Sequence, residues 1–190
     1  MLRVAQRLRK TPCATNALHK SMARAPRLHG DLNPKNILIN AAGQAVLIDV
    51  SPNSDTGEGD EGQIPRGVIA YQAPEQLKGV SEVRSEIFSL GSLLYEWLHG
   101  APAFTGNDRF EIYRKIVSGE CSPLRSDLTP ATLALLKRAL ALRVEDRFPD
   151  MASLHRELSA ILQREFPKFT GKDLVLCLSA INSASSNISK

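Results

Sequence analysis

Asp31 and Asn36 stand five positions apart in "HGDLNPKNILI" (residues 29–39), with Pro34 between them and an apolar run behind. A carboxylate such as Asp31 can accept the proton of a reacting hydroxyl. The amide oxygen of Asn36 is a hard donor suited to a divalent cation. Together they describe a loop for phosphoryl transfer, a reaction that leaves a protein mainly positioning and charge neutralisation to do.

Such a loop needs elements to hold it. The spacing predicts a short strand at 37–39, a turn at "AAG" and a second strand over 44–49, closing a hairpin. Residues 50–66 turn polar and acidic, with Asp55, Glu58, Asp60 and Glu61 among glycines and serines, and read as a long functional loop. Ser51, Ser54 and Thr56 are its candidate phosphorylation positions. Beyond Tyr71 the pattern is helical. "SEVRSEIFSLGSLLYEWLHG" (81–100) opens at a cap-like Ser81, ends at Gly100 and is apolar on nearly every face, which predicts a buried central helix. "FEIYRKIVSG" reads as a shorter amphipathic helix. "TPATLALLKRALAL" opens on Thr129 as cap and Pro130 as first helical residue, and "DMASLHRELSAILQ" on Asp150. Residues 2–22 read as a further helix interrupted by Pro12, and the last residues as a frayed tail.

Composition excludes several classes. No apolar run approaches the length of a membrane helix. The three cysteines, Cys13, Cys121 and Cys177, have no ligand-like spacing and fit thiols in a reducing compartment. The first 30 residues carry seven basic residues and no acid. They weakly resemble an organelle transit peptide, the alternative to the expected cytoplasmic location. No aromatic pattern or motif supports a nucleic-acid partner.

Four separated pieces resemble the large, C-terminal lobe of Hanks-type (bacterial-like) serine/threonine protein kinases. His29-Gly30-Asp31 with Asn36 resembles the catalytic loop (29–36), and Asp49-Val50-Ser51 stands where the metal-binding triplet opens the activation segment (49–75). Ala73-Pro74-Glu75 resembles the triplet that closes it. The 81–100 helix resembles the family's central helix, and "EDRF" puts Arg147 in the place of Glu75's partner. The loop also resembles that of aminoglycoside and choline kinase-like enzymes. Those lack the closing triplet and the "SLGSLLYEWL" helix, so the protein kinases are the better match.

The resemblance implies roles residue by residue. Asp31 is the proton acceptor, Asn36 and Asp49 hold Mg²⁺ with ATP, and His29, Glu75, Glu86 and Arg147 are structural. The implied fold is mainly α with a short β-hairpin, over 1–163, followed by a C-terminal extension at 164–190. The implied activity is ATP-dependent phosphorylation of Ser or Thr on a protein substrate.

Departures from the family pattern temper that activity. Asn33 replaces the usual Lys, Val68 the usual Thr, Glu86 the usual Asp of the central helix, and Gly30 the usual Arg. No V-A-I-K-like string occurs in the 190 residues, and their G-x-G-x-x-G match, Gly57 to Gly62, lies in the acidic loop after Asp49 and not ahead of the catalytic loop. The small ATP-gripping lobe is therefore expected to be missing and this chain inactive alone. The alternative expectation is a pseudokinase-like docking module. Apolar surface around Ile37–Ile39 and Ile48 would then serve self-association or a partner.

Overall fold

The hairpin forms as its apolar run and turn require. The computed structural model describes residues 28–40, 42–50, 68–170 and 172–176. Strand β1 (Ile37–Ile39) pairs antiparallel with β2 (Ala45–Leu47), with Ile37 opposite Leu47 and Ile39 opposite Ala45. The second strand is shorter than the 44–49 expected. The Ile48 amide leaves the ladder to donate to the Asn36 carbonyl at 3.0 Å, and Asp49 then turns left-handed at φ 58°.

Helix α1 (Val83–His99) runs through the centre, with Ser85 through Tyr95 all buried. It starts one residue later than expected. Glu82 caps it in place of Ser81, and the Ser85 hydroxyl accepts from the Glu82 amide at 3.2 Å. Around it lie α2 (Arg109–Ser118), α3 (Pro130–Ala139) and α4 (Met151–Glu165). Thr129 and Asp150 cap α3 and α4 with their side chains, as their residue types predict. Among the described residues the architecture is mainly helical with one two-stranded sheet. The 2–22 helix, most of the 50–66 loop and the tail lie outside the described residues. Among the described residues no helix is long and apolar enough to cross a membrane.

Two close contacts set the packing. Gly91 brings α1 against the end of α3; a Cβ there would stand 2.8 Å from the Cβ of Ala139 and 3.3 Å from Leu140 Cδ2. The other is Arg147, fully buried between α3 and α4. Its Nε donates to Ala141 O (2.7 Å). Nη1 donates to Glu75 Oε1 (2.6 Å) and Arg84 O (3.0 Å), and Nη2 to Glu75 Oε2 (2.9 Å) and Leu142 O (3.1 Å). Every N–H of the guanidinium is thus answered. Its plane also covers the Phe88 ring at 4.9 Å, and Phe88 stacks on Phe104. The Ser85 hydroxyl completes the clasp by donating to Glu75 at 2.7 Å. Burial pushes the Glu75 carboxyl up, but Arg147, Ser85 and its own backbone outweigh that and hold it below the ordinary range.

Gly91→Ala should destabilise the protein. Overpacking costs about 1–3 kcal/mol, of which better helix propensity returns about 1 kcal/mol. The urea midpoint should fall; an unchanged or higher midpoint would show that α1 and α3 can separate freely.

Arg147→Met should cost about 3–5 kcal/mol, because Glu75 is left without its cation. With a lowered folded-state pKa, the Glu75 contribution is present above the unfolded value of about 4.5 and is lost as pH falls. Thermal melts of wild type and Glu75→Gln should therefore converge on acidification. Melting curves that stay parallel down to pH 3 would contradict this.

Candidate active site

The catalytic loop is built from polar side chains turned back on its own backbone. Asn33 caps a 3-10 turn, Pro34–Asn36, by accepting from the Lys35 amide at 2.9 Å, and its Nδ2 donates to Asp31 O at 3.1 Å. Both polar ends of Asn33, 2% exposed, are thus engaged inside the loop. It stands as a turn residue, whereas a Lys here would project a cation. Lys35 is exposed on the same turn.

Asn36 is the junction. Its Nδ2 donates to Asp31 O at 2.8 Å and to Asp31 Oδ2 at 3.2 Å. A carbonyl can only accept, so the amide nitrogen must face Asp31, leaving Oδ1 as the atom able to meet a cation. The Asn36 carbonyl holds the Ile48 amide, and Asp49 follows directly. Asp49 is the one non-glycine with positive φ among the described residues, a costly conformation that gathers at functional sites. Asp31 and Asn36 are thereby linked by side-chain hydrogen bonds, and Asp49 follows the residue whose amide Asn36 holds.

His29 joins the loop to the end of the hairpin. Its Nε2 donates to Ile48 O at 2.8 Å, and Nδ1 accepts from the Asp31 amide at 3.4 Å. Two backbone partners fix that tautomer, which suits a buried strut. Gly30 sits at φ 78°, a left-handed conformation where a side chain would be strained. Its amide donates to Glu86 Oε1 at 2.7 Å, and its carbonyl accepts from Gln76 Nε2 at 3.4 Å.

Two positions carry structure that the sequence analysis left without a role. Gln76 Oε1 accepts from the Ala73 amide at 2.9 Å, so one amide spans the closing triplet and the catalytic loop. Tyr71, buried beneath Val68, donates to Glu96 Oε2 at 2.6 Å. Burial, then the Glu96 bond and charge, pushes its phenol far up. Their partners lie 46 and 25 residues away, so neither residue's own neighbours in the sequence point to its use.

The donor set fits a magnesium ion held largely by phosphate and water. Asn36 Oδ1 and the Asp49 carboxylate would offer Mg²⁺ two hard oxygens, leaving its other positions to phosphate and water. Among the described residues there is no cluster of three or more His, Cys, Asp or Glu that would form an all-protein cage. Cys121, its thiol pushed up to about 11 by burial, is not a reactive group.

Comparison with known proteins agrees with this geometry. The protein kinase domain family profile matches residues 4–159. A tyrosine-protein kinase, MasK, of Myxococcus xanthus is 30% identical over 147 residues, covering 71% of this chain and 22% of that protein. The serine/threonine-protein kinase PknL of Mycobacterium tuberculosis is 32% identical over 157 residues, 77% of this chain and 38% of the relative. PknB of Mycolicibacterium smegmatis, also a serine/threonine-protein kinase, is 29% identical over 148 residues, 74% and 24% respectively. The chain thus spans well under half the length of each relative. With a loop, hairpin and central helix placed as described and a profile match over most of its length, the chain belongs to the protein kinase domain family.

Proposed function

We propose that this chain supplies the substrate-side and metal-side half of an ATP-dependent protein kinase acting on Ser or Thr. The observation that carries the reading is the Asn36 side chain, bonded to both the carbonyl and the carboxylate of Asp31, with left-handed Asp49 one residue beyond the Ile48 amide that the Asn36 carbonyl accepts from. In this reading Asp31 orients the substrate hydroxyl and accepts its proton. Asn36 and Asp49 receive Mg²⁺, which when bound supplies positive charge to the transferring phosphate. His29, Gln76 and Glu86 keep Asp31 in place from behind. The names of two relatives support Ser or Thr as acceptor, and the location proposed is cytoplasmic.

The 190 residues hold no glycine-rich string ahead of the catalytic loop and no V-A-I-K-like lysine. Taken alone they lack the groups that grip the ATP phosphates. Asn33 adds to this, since loss of one preorganised charge-stabilising donor costs about 10²–10³ in rate. We therefore propose that these 190 residues by themselves transfer phosphate slowly or not at all, and that activity requires a small lobe from further polypeptide.

A second reading, a docking module without catalysis, is favoured by the exposed cross-strand pair Leu38 and Val46 (51% and 42% exposed), together with Val50. Self-association or a protein partner would cover them.

Calorimetric titration with Mg·ATP separates the two. Under the kinase reading the wild-type chain binds weakly, in the millimolar range, and Asp49→Ala loses that binding without a change in fold. Equal heats for both proteins would remove Asp49 from the metal site. Silence in both, together with self-association weakened by Leu38→Ser in sedimentation, would favour the docking module.

A further inference from the structure

Lys35 is the only Lys or Arg from residue 28 to residue 65, and it stands exposed on the 3-10 turn that ends in Asn36. Among the described residues its ammonium forms no ion pair. The two carboxylates of the candidate site are likewise without a cation. Asp31 accepts from Asn36 Nδ2 at 3.2 Å, Asp49 is exposed, and neither enters an ion pair among the described residues.

The backbone at Lys35 is fixed although its side chain is not. Asn33 Oδ1 accepts from the Lys35 amide at 2.9 Å, and Asn33 O accepts from the Asn36 amide at 3.1 Å. Asn36 in turn reaches the Asp31 carbonyl and carboxylate with its side chain. The Lys35 backbone is thereby held one residue from the side chain that touches the Asp31 carboxylate. Its flexible four-carbon stem lets the ammonium swing across the turn. Asn33 spends both polar ends on clamping the loop, so it has none left for a ligand. The two residues divide the work: Asn33 fixes the turn, and Lys35 carries its charge.

Charge decides what that ammonium meets. A nucleoside triphosphate remains an anion after taking up one Mg²⁺, and at this site it approaches the carboxylates of Asp31 and Asp49. Like charges at short range are unfavourable unless a cation is placed among them. A lysine serves phosphate as a point charge, and an ammonium–phosphate hydrogen bond is about twice as strong as a neutral one.

We propose that Lys35 is the phosphate-binding cation of this site: its ammonium pairs with the terminal phosphate of a Mg²⁺-bound nucleoside triphosphate brought beside Asp31. The proposal rests on the kinase reading and deepens it. Part of the charge stabilisation that Asn33 does not give is supplied two positions on, within the same turn. A nucleoside diphosphate lacks the group that Lys35 meets and gains nothing from it.

The test is a chemical-shift titration of the 190-residue chain with Mg·ATP and with Mg·ADP, followed on the Asn36 and Asp49 amides. Lys35→Met should weaken Mg·ATP about tenfold, the worth of one hydrogen bond to a charged group, and leave Mg·ADP unchanged. Lys35→Arg keeps the charge and should stay close to wild type. Lys137→Met, which removes an exposed cation from α3 instead, should change neither affinity. The Lys35 ammonium holds no other part of the fold, so each variant should keep the wild-type amide spectrum. Equal Mg·ATP affinity in wild type and Lys35→Met, an equal loss of Mg·ADP, a Lys35→Arg chain as weak as Lys35→Met, or an equal loss in Lys137→Met would overturn the proposal. Each of these leaves the kinase reading standing. Absence of binding by the wild-type chain would overturn the proposal and the kinase reading together.

Discussion

A guanidinium sealed from water must have each N–H answered, and in this protein that requirement is met by Arg147. Its five donors reach Glu75, Arg84, Ala141 and Leu142, and its face lies on Phe88. One side chain thereby ties the segment after Tyr71, the start of α1 and the α3–α4 connection into a single base. Replacing such a pair by apolar residues of the same shape need not destabilise a protein. What the clasp provides is a fixed geometry: Glu75 can sit in one place only, and the 3-10 turn that follows it carries Gln76 beneath the catalytic loop.

From that base the order passes upward through polar contacts. Gln76 and Glu86 hold Gly30 from two sides, His29 holds the hairpin exit, and Asn36 joins Asp31 to the strand pair. The candidate site residues are carried on loops, but the loop of Asp31 is anchored to buried elements at more than one point. This is how a site can be preorganised without a cage of its own: Asp31 and Asp49 remain open to solvent-borne partners while the backbones of Asp31 and of Ile48, just before Asp49, are fixed. In the proposed reading phosphoryl transfer asks for little more from these residues, because most of the charge neutralisation would come from the metal and from groups above the phosphate.

Much of this was legible in the sequence because it is local. The caps of α3 and α4 are written in Thr129-Pro130 and Asp150, and the hairpin in two apolar runs about a turn. The limits of α1 and β2 were less so. Ser81 and Glu82 are adjacent polar residues, and which one caps α1 depends on whether Ser85 can face it. The end of β2 depends on the Ile48 amide being taken by Asn36, a contact made only once the loop has folded. Asp31, Asn36 and Asp49 stood out through residue type and a family resemblance. The uses of Gln76 and Tyr71 did not, since partners far along the chain define them. The locked turn at Asn33 and the hold of Glu86 on Gly30 are likewise properties of packing, visible only when the surrounding atoms are placed.

The central claim is that Asp31, Asn36 and Asp49 form one cation and phosphate site. Substituting Mn²⁺ for Mg²⁺ in the presence of ATP and recording paramagnetic broadening of the backbone amides tests it directly. The account predicts loss of signal strongest at Asn36 and Asp49, extending to Asp31 and fading toward α2, α3 and α4. Broadening centred on the acidic stretch 55–61, or spread evenly over the surface, would contradict it.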